Sequence, residues 1–171
     1  VDLLCTDLGA NFSPRRITIS TAGVVPGIEA MGAKAASVGL AVSLNATTNA
    51  VRDKLMPINR RWPLETLLDA LRRYPLPRRR RITIEYVLIA GVNDSLADAR
   101  RIPALLQGIR AKVNLIRYNP VVRRGKLGPP SMEHVEDFAD VLRDKDLTTM
   151  VRQSRGQEIA AACGQLVAPR P

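Results

Sequence analysis

Short apolar runs of strand length alternate along this chain with segments whose leucines recur at helical spacing. RITIST (16–21) is β-branched and ends in the small-residue turn TAGVVPG, SVGLAVSL (37–44) has the pattern of a buried strand, and RITIEYVLIAGV (81–92) is the strongest strand signal. KVNLIRYN (112–119) and LTTMVR (147–152) complete the set, each bounded by Pro, Gly, Asn or Asp. Between them, PLETLLDALRRYP places Leu64, Leu67, Leu68 and Leu71 at i, i+3, i+4 and i+7, with prolines at both ends. SMEHVEDFADVLRDK repeats that spacing with Val135, Phe138, Ala139 and Leu142, and Ser131 stands where a cap belongs. DSLADARRIPALLQGI is a third helix, which Pro103 should kink or split, and a shorter one is predicted over 26–34.

Strands joined by connections of crossover length imply a parallel α/β sheet, either open and doubly wound or curled into a (β/α) barrel. ISTAGVVPG after the first strand lacks the G-x-G-x-x-G spacing, which disfavours a dinucleotide-binding domain. No linker or repeat divides the chain, so residues 1–171 are read as a single domain.

Charge changes the picture. Lys and Arg number 26 against 16 acidic residues, a net +10, and the arginines cluster at 15–16, 60–61, 72–73 and 78–81. Guanidinium groups match phosphate in a bidentate way, so the balance favours a nucleic-acid partner; an arginine-rich soluble surface is the bland alternative. The apolar runs fall far short of the roughly 20 residues of a membrane helix, so no membrane partner is expected. No leader pattern is read at the start, which opens on Val1. The two cysteines, Cys5 and Cys163, sit at opposite ends and His134 is the single histidine, so no metal site is expected within the chain. This cysteine usage points to a reducing, cytoplasmic setting.

Ligands of parallel α/β folds bind beyond the carboxyl ends of the strands. The polar residues there are Ser20 and Thr21, Ser43 and Asn45, Asn93 and Asp94, and Asn119. They either hydrogen-bond a small cofactor or act as turn formers and caps, the role assigned to Asp94. Glu85, in mid-strand, should pair with an arginine or hydroxyl if it points inward. His134 is expected to be solvated. In EIAAACGQLVAPR, Cys163 reads equally as an inert core residue or a reactive thiol.

RRITISTAGVVPGI, AVSLNATTNAVRDKLMPINRRWPLETLL, RITIEYVLIAGVNDS, KVNLIRYNP and VRQSRGQEIAAACGQL occur in order over about residues 10–168. Together they resemble the radical S-adenosylmethionine methyltransferases that modify C2 of adenine in ribosomal RNA, the RlmN/Cfr family. The resemblance implies the C-terminal portion of a partial (β/α) barrel, lacking its N-terminal strands. It implies S-adenosylmethionine bound by Ser20, by Ser43, Leu44 and Asn45, and by Asn119, and a [4Fe–4S] cluster whose CxxxCxxC ligands should lie before residue 1. Cys163 matches the cysteine that carries the methyl group, and the implied partners are ribosomal RNA and transfer RNA. Arg117 departs from the family, which usually has proline there. On this reading the chain alone is expected to hold no cluster and to be inactive. The competing readings are a truncated, non-catalytic RNA-binding relative and an unrelated α/β enzyme using Cys163 as a direct nucleophile, for which only His134 could serve as base.

Overall fold

The computed structural model describes residues 1–120 and 127–152. A lead-in helix, α1 (Asp2–Cys5), and a 3-10 turn (Pro14–Arg16) precede β1 (Thr18–Thr21), α2 (Val25–Ala35) and β2 (Gly39–Ser43). Then come α3 (Asn49–Leu55), a 3-10 turn (Pro57–Arg60), α4 (Leu64–Arg73), β3 (Ile82–Leu88) and α5 (Leu96–Leu105). β4 (Ala111–Arg117), α6 (Met132–Arg143) and β5 (Thr149–Arg152) follow.

All strand pairs are parallel, and the sheet order is the chain order, β1-β2-β3-β4-β5. A doubly wound sheet needs a reversal of order. Unbroken progression with right-handed crossovers instead delivers every helix to one face, which is how a barrel is wound. Alternation along β3 shows the result: Ile82, Ile84, Tyr86 and Leu88 are fully buried, while Thr83, Glu85 and Val87 are half-buried. On the helix side, Leu40, Val42, Val113 and Leu115 join Leu67 and Leu71 of α4, Ile102 of α5 and Phe138 and Leu142 of α6 in one core. Each such aliphatic side chain contributes about 1.5–3 kcal/mol.

Three expectations are corrected. β3 stops at Leu88, not at residue 92, because the Asn93 side chain curls the chain back: Ile89 N–H donates to its Oδ1 (2.7 Å) and its Nδ2 donates to Val87 O (2.7 Å). Pro103 does not split α5; it falls in the last turn, two residues before the end. Ser95, rather than Asp94, caps that helix, its Oγ accepting from Asp98 N–H (3.1 Å), while Asp94 Oδ1 accepts from Gly91 N–H (2.9 Å). α3 was not anticipated at all. It is seven residues long, too short for a periodic apolar stripe, and is started by Thr48, whose hydroxyl accepts from Val51 N–H.

Between β2 and α5, Asp98 is 8% exposed and accepts hydrogen bonds from Thr47, Ser95 and Arg101. Burial pushes its carboxyl up, but those three bonds and the Arg101 charge outweigh it and hold the group below the usual carboxylate range. The stabilisation is therefore fully present above the ordinary value of about 4 and is lost as pH falls through the lower folded-state value. Asp98→Asn should cost about 1–3 kcal/mol at neutral pH in urea unfolding, and the gap to wild type should close below about pH 4. A gap that persists unchanged into acid would rule out the ionised pairing.

Among the described residues, no helix is long and apolar enough to cross a membrane.

Candidate functional site

The sheet face turned away from the helices carries the polar side chains. Register places Ser20 beside Ala41 and Thr83, and one row nearer the carboxyl ends it aligns Ser43, Glu85, Asn114 and Met150. Residues paired across parallel strands point to the same side, so Ser20, Ser43, Glu85 and Asn114 share this open face. None of these four side chains makes a hydrogen bond or ion pair among the described residues. Glu85 is not a buried carboxylate, so the condition for a pairing is not met: it is half-buried, faces the open side and has no arginine or hydroxyl partner among the described residues. Asn119 lies two residues past β4, and its Nδ2 is buried with no hydrogen-bond partner among the described residues. Buried amides are almost always satisfied, so this donor has capacity for a further partner.

The remaining strand-end residues are committed to the scaffold. Thr21 Oγ1 accepts from Gly23 N–H (3.1 Å) and so sets the turn after β1. Asn45, in the left-handed region at φ 54°, accepts from Val87 N–H (2.9 Å) and directs its Nδ2 to Met56 Sδ (3.3 Å), tying β2 to β3. Leu44 is 1% exposed and packs into the core; its N–H donates to Glu85 O (2.9 Å). Asn93, 1% exposed, adds a bond from Nδ2 to Asn45 O (2.8 Å), and Tyr86 donates its phenol to Asn93 O (2.8 Å). Burial, with a smaller push from the Asp98 charge, drives that phenol's pKa far up, so it is a permanent donor. His134 is not free in solvent: its Nε2 lies 2.7 Å from Asp94 O. Cys163 lies outside the described residues.

Sequence reasoning missed the residue that organises this end of the sheet. Arg52 of α3 is fully buried. Its Nε donates to Leu44 O (3.0 Å), Nη1 to Asn59 Oδ1 (2.9 Å), and Nη2 to Ala22 O (2.9 Å) and Ser43 O (3.1 Å). One guanidinium thus pins the ends of β1 and β2 together beside Ser43. Gly23 leaves room for it: at φ 108° it adopts a conformation side chains avoid, and a Cβ there would stand 3.0 Å from Arg52 Nη2. Desolvation lowers the Arg52 pKa, with the Asp53 charge opposing, yet an arginine starts so high that it stays charged at neutral pH. The signal in the sequence was a lone arginine between Val51 and the apolar Leu55 in a segment rich in Asn and Thr.

An open polar face at the carboxyl ends of an in-order parallel half-barrel is the architecture of radical S-adenosylmethionine enzymes. A radical SAM methyltransferase from Sphaerobacter thermophilus superposes with a TM-score of 0.89 and 46% identity, over 95% of this chain and 47% of that one. A domain of pyruvate-formate lyase-activating enzyme from Bacteroides vulgatus shares the fold (TM-score 0.61, 18% identity, 80% of each chain). The chain matches none of the protein-family models. Among curated proteins, the dual-specificity RNA methyltransferase RlmN of Geobacter sulfurreducens is 53% identical over 97% of this chain and 46% of its own length. That of Sorangium cellulosum is 52% identical over 96% and 42%. The chain belongs to the RlmN family and corresponds to the C-terminal portion of its members, spanning less than half the length of these relatives.

Hydroxyls, amides and a carboxylate on one face form a donor and acceptor set suited to the ribose and amino-acid ends of S-adenosylmethionine. An iron–sulfur cluster does not fit the residues present. Among those described, no group of three His, Cys, Asp or Glu could hold a metal, and the chain has two cysteines in all.

Proposed function

We propose that this chain is the C-terminal portion of an RNA methyltransferase that places a methyl group on C2 of adenine in ribosomal and transfer RNA, working in the cytoplasm. In this reading the half-barrel supplies one side of the S-adenosylmethionine site and Cys163 receives the methyl group. The cluster ligands come from elsewhere in the whole protein, and the isolated chain is inactive. The observation that carries the proposal is the unpartnered polar set on one sheet face: Ser43 and Ser20 beside Glu85 and Asn114, with the free amide of Asn119 past β4. The RlmN relatives support the reaction class.

S-adenosylmethionine supplies the methyl group. Ser20, Ser43 and Asn119 orient it, while Leu44 and Asn45 act through position: Leu44 anchors β2 in the core, and Asn45 fixes the turn that presents Ser43. The test is transfer of labelled methyl to unmodified RNA by the whole protein with its cluster reconstituted, followed by mapping of the modified base. Ser43→Val with Asn119→Ala should weaken equilibrium binding of S-adenosylmethionine about 10-fold or more, the worth of two ordinary hydrogen bonds. Label at another position of the base would refute the C2 assignment, and unchanged affinity in the double variant would refute the site.

A further inference from the structure

The opposite end of the sheet carries a second charged feature that the methyl-transfer reading leaves unused. Arg15 and Arg16 precede β1, Arg78 to Arg81 precede β3, and Arg110 precedes β4. All except the half-buried Arg80 are exposed. Two clefts lie among them. One of about 500 Å³ is lined by Ser13 to Arg15, Ser37 and Pro77 to Arg80. The other, about 600 Å³, is lined by Arg79 to Arg81, Ile109 to Ala111 and Asp146 to Thr148. They share Arg79 and Arg80 as a common wall, and the residues lining the two precede all five strands, a basic rim about 19 Å wide at about 4.8 Å per strand.

The charge on this rim is not cancelled internally. The ion pairs among the described residues involve Arg72, Arg73, Arg101, His134 and Arg143, none of them on this rim. Arg80 donates to Ser37 O (2.6 Å), Arg110 to Leu76 O (2.7 Å), and Arg81 to Thr148 Oγ1 (2.6 Å). These neutral acceptors fix the guanidinium groups in place without neutralising them. Arg15, Arg16, Arg78 and Arg79 have no side-chain partner among the described residues. Asp146 is the one carboxylate lining the two clefts. A closed cage of converging groups would suit a single small anion; a wide, shallow row of oriented guanidiniums suits a run of phosphates.

We propose that this rim is a second RNA-contact surface, gripping the phosphodiester backbone of the substrate at the end of the sheet remote from the reactive face. β3 is seven residues long, so the two ends stand about 20 Å apart. The proposal rests on the RNA reading above and adds to it where the rest of the RNA lies.

The experiment measures binding of unmodified transfer RNA to the whole protein by fluorescence anisotropy across a salt series. The variant Arg15→Gln/Arg16→Gln/Arg78→Gln/Arg79→Gln removes only side chains without partners, and an unchanged urea midpoint checks that it folds. Its slope of log affinity against log salt should be shallower by about 2–4 units, with affinity lowered at least about 10-fold at moderate salt. Arg78→Lys/Arg79→Lys, which keeps the charge, should retain most of the slope, and Arg73→Gln/Arg143→Gln on the helix side should leave it unchanged. If wild type binds RNA and the rim variant keeps its slope, the rim proposal fails while the RNA reading stands. If wild type binds no RNA, both fail. A charge-dependent loss seen only with mixed phosphatidylserine–phosphatidylcholine vesicles would overturn the rim proposal in favour of a membrane surface.

Discussion

Arg52→Ala is expected to lower the unfolding free energy by about 3–5 kcal/mol, because several buried acceptors lose a charged donor together. The substitution strands four acceptors at once: the carbonyls of Ala22, Ser43 and Leu44 and the side-chain oxygen of Asn59. A buried acceptor left without a donor costs about 1–3 kcal/mol, and acceptors that relax together do not add in full. Damage would spread to Asn59, which is itself 1% exposed and whose Nδ2 donates to Asn49 Oδ1 (3.0 Å) and Asp53 Oδ1 (2.6 Å). Arg52→Lys should recover less than half of the loss, because a single ammonium cannot span acceptors that the planar fork reaches on three sides. Arg72→Ala provides the contrast. It breaks an exposed pair with Asp69 (2.6 Å) and exposed bonds to Gln107 O (3.2 Å) and Leu105 O (3.3 Å), groups that water can then reach, and should cost no more than about 1 kcal/mol. Urea unfolding of the three variants measures this ranking; an Arg52→Ala loss as small as that of Arg72→Ala would show that the strand ends do not depend on the guanidinium.

The contrast between those two arginines also marks how far the residue pattern alone could reach. Period and length were enough for α4 and α6, because Leu64 to Leu71 and Val135 to Leu142 each bury a stripe against the sheet. The same reasoning located all five strands among the described residues, since a strand covered on one face by helices and half-covered on the other is apolar enough to stand out. α3 left no such trace: it is held by polar side chains, Thr48 at its start and Arg52 directed inward to carbonyls, and hydrogen bonds to backbone have no signature in hydropathy. The strand-end rule yields seven polar residues and sets only Asp94 apart, as a cap or turn former. Asn93, Asn45 and Thr21 satisfy themselves within the scaffold, whereas Ser20, Ser43 and Asn119 do not. That division depends on which partners come within reach after folding, and no spacing along the chain encodes it. Glu85 shows the same limit from the other direction, since its face was open at the sequence level and its lack of a partner required the register with Ser43 and Asn114.

Cys163→Ala in the whole, cluster-loaded protein is expected to reduce methyl transfer to RNA on the order of a thousand-fold or more, as loss of a covalent nucleophile does. On the reading proposed above the thiolate would be the reactive form: a carbon–sulfur bond would form as the donor's sulfonium–methyl bond broke and the donor left as a neutral thioether, so charge would balance with no further proton to move. Alanine offers no lone pair for this step. Serine offers an alcohol that is hardly ionised at neutral pH, so Cys163→Ser should be as inactive. Chain length permits the role: ten residues lie between Arg152, the last residue of β5, and Cys163, and the eleven steps of about 3.3–3.6 Å reach at most about 36–40 Å, about twice the width of the sheet. They start from the correct end, since Arg152 aligns with Ile116 and Val87 in the row just beyond Ser43 and Asn114. Two measurements separate a carrier from a structural thiol. Mass spectrometry of the wild-type protein incubated with S-adenosylmethionine should find a methyl group on the Cys163 peptide, absent in both variants. The variants should also bind S-adenosylmethionine as wild type does, because Ser20, Ser43 and Asn119 are untouched. RNA methylation that survives Cys163→Ala would end the carrier assignment while leaving the polar face as the cofactor site.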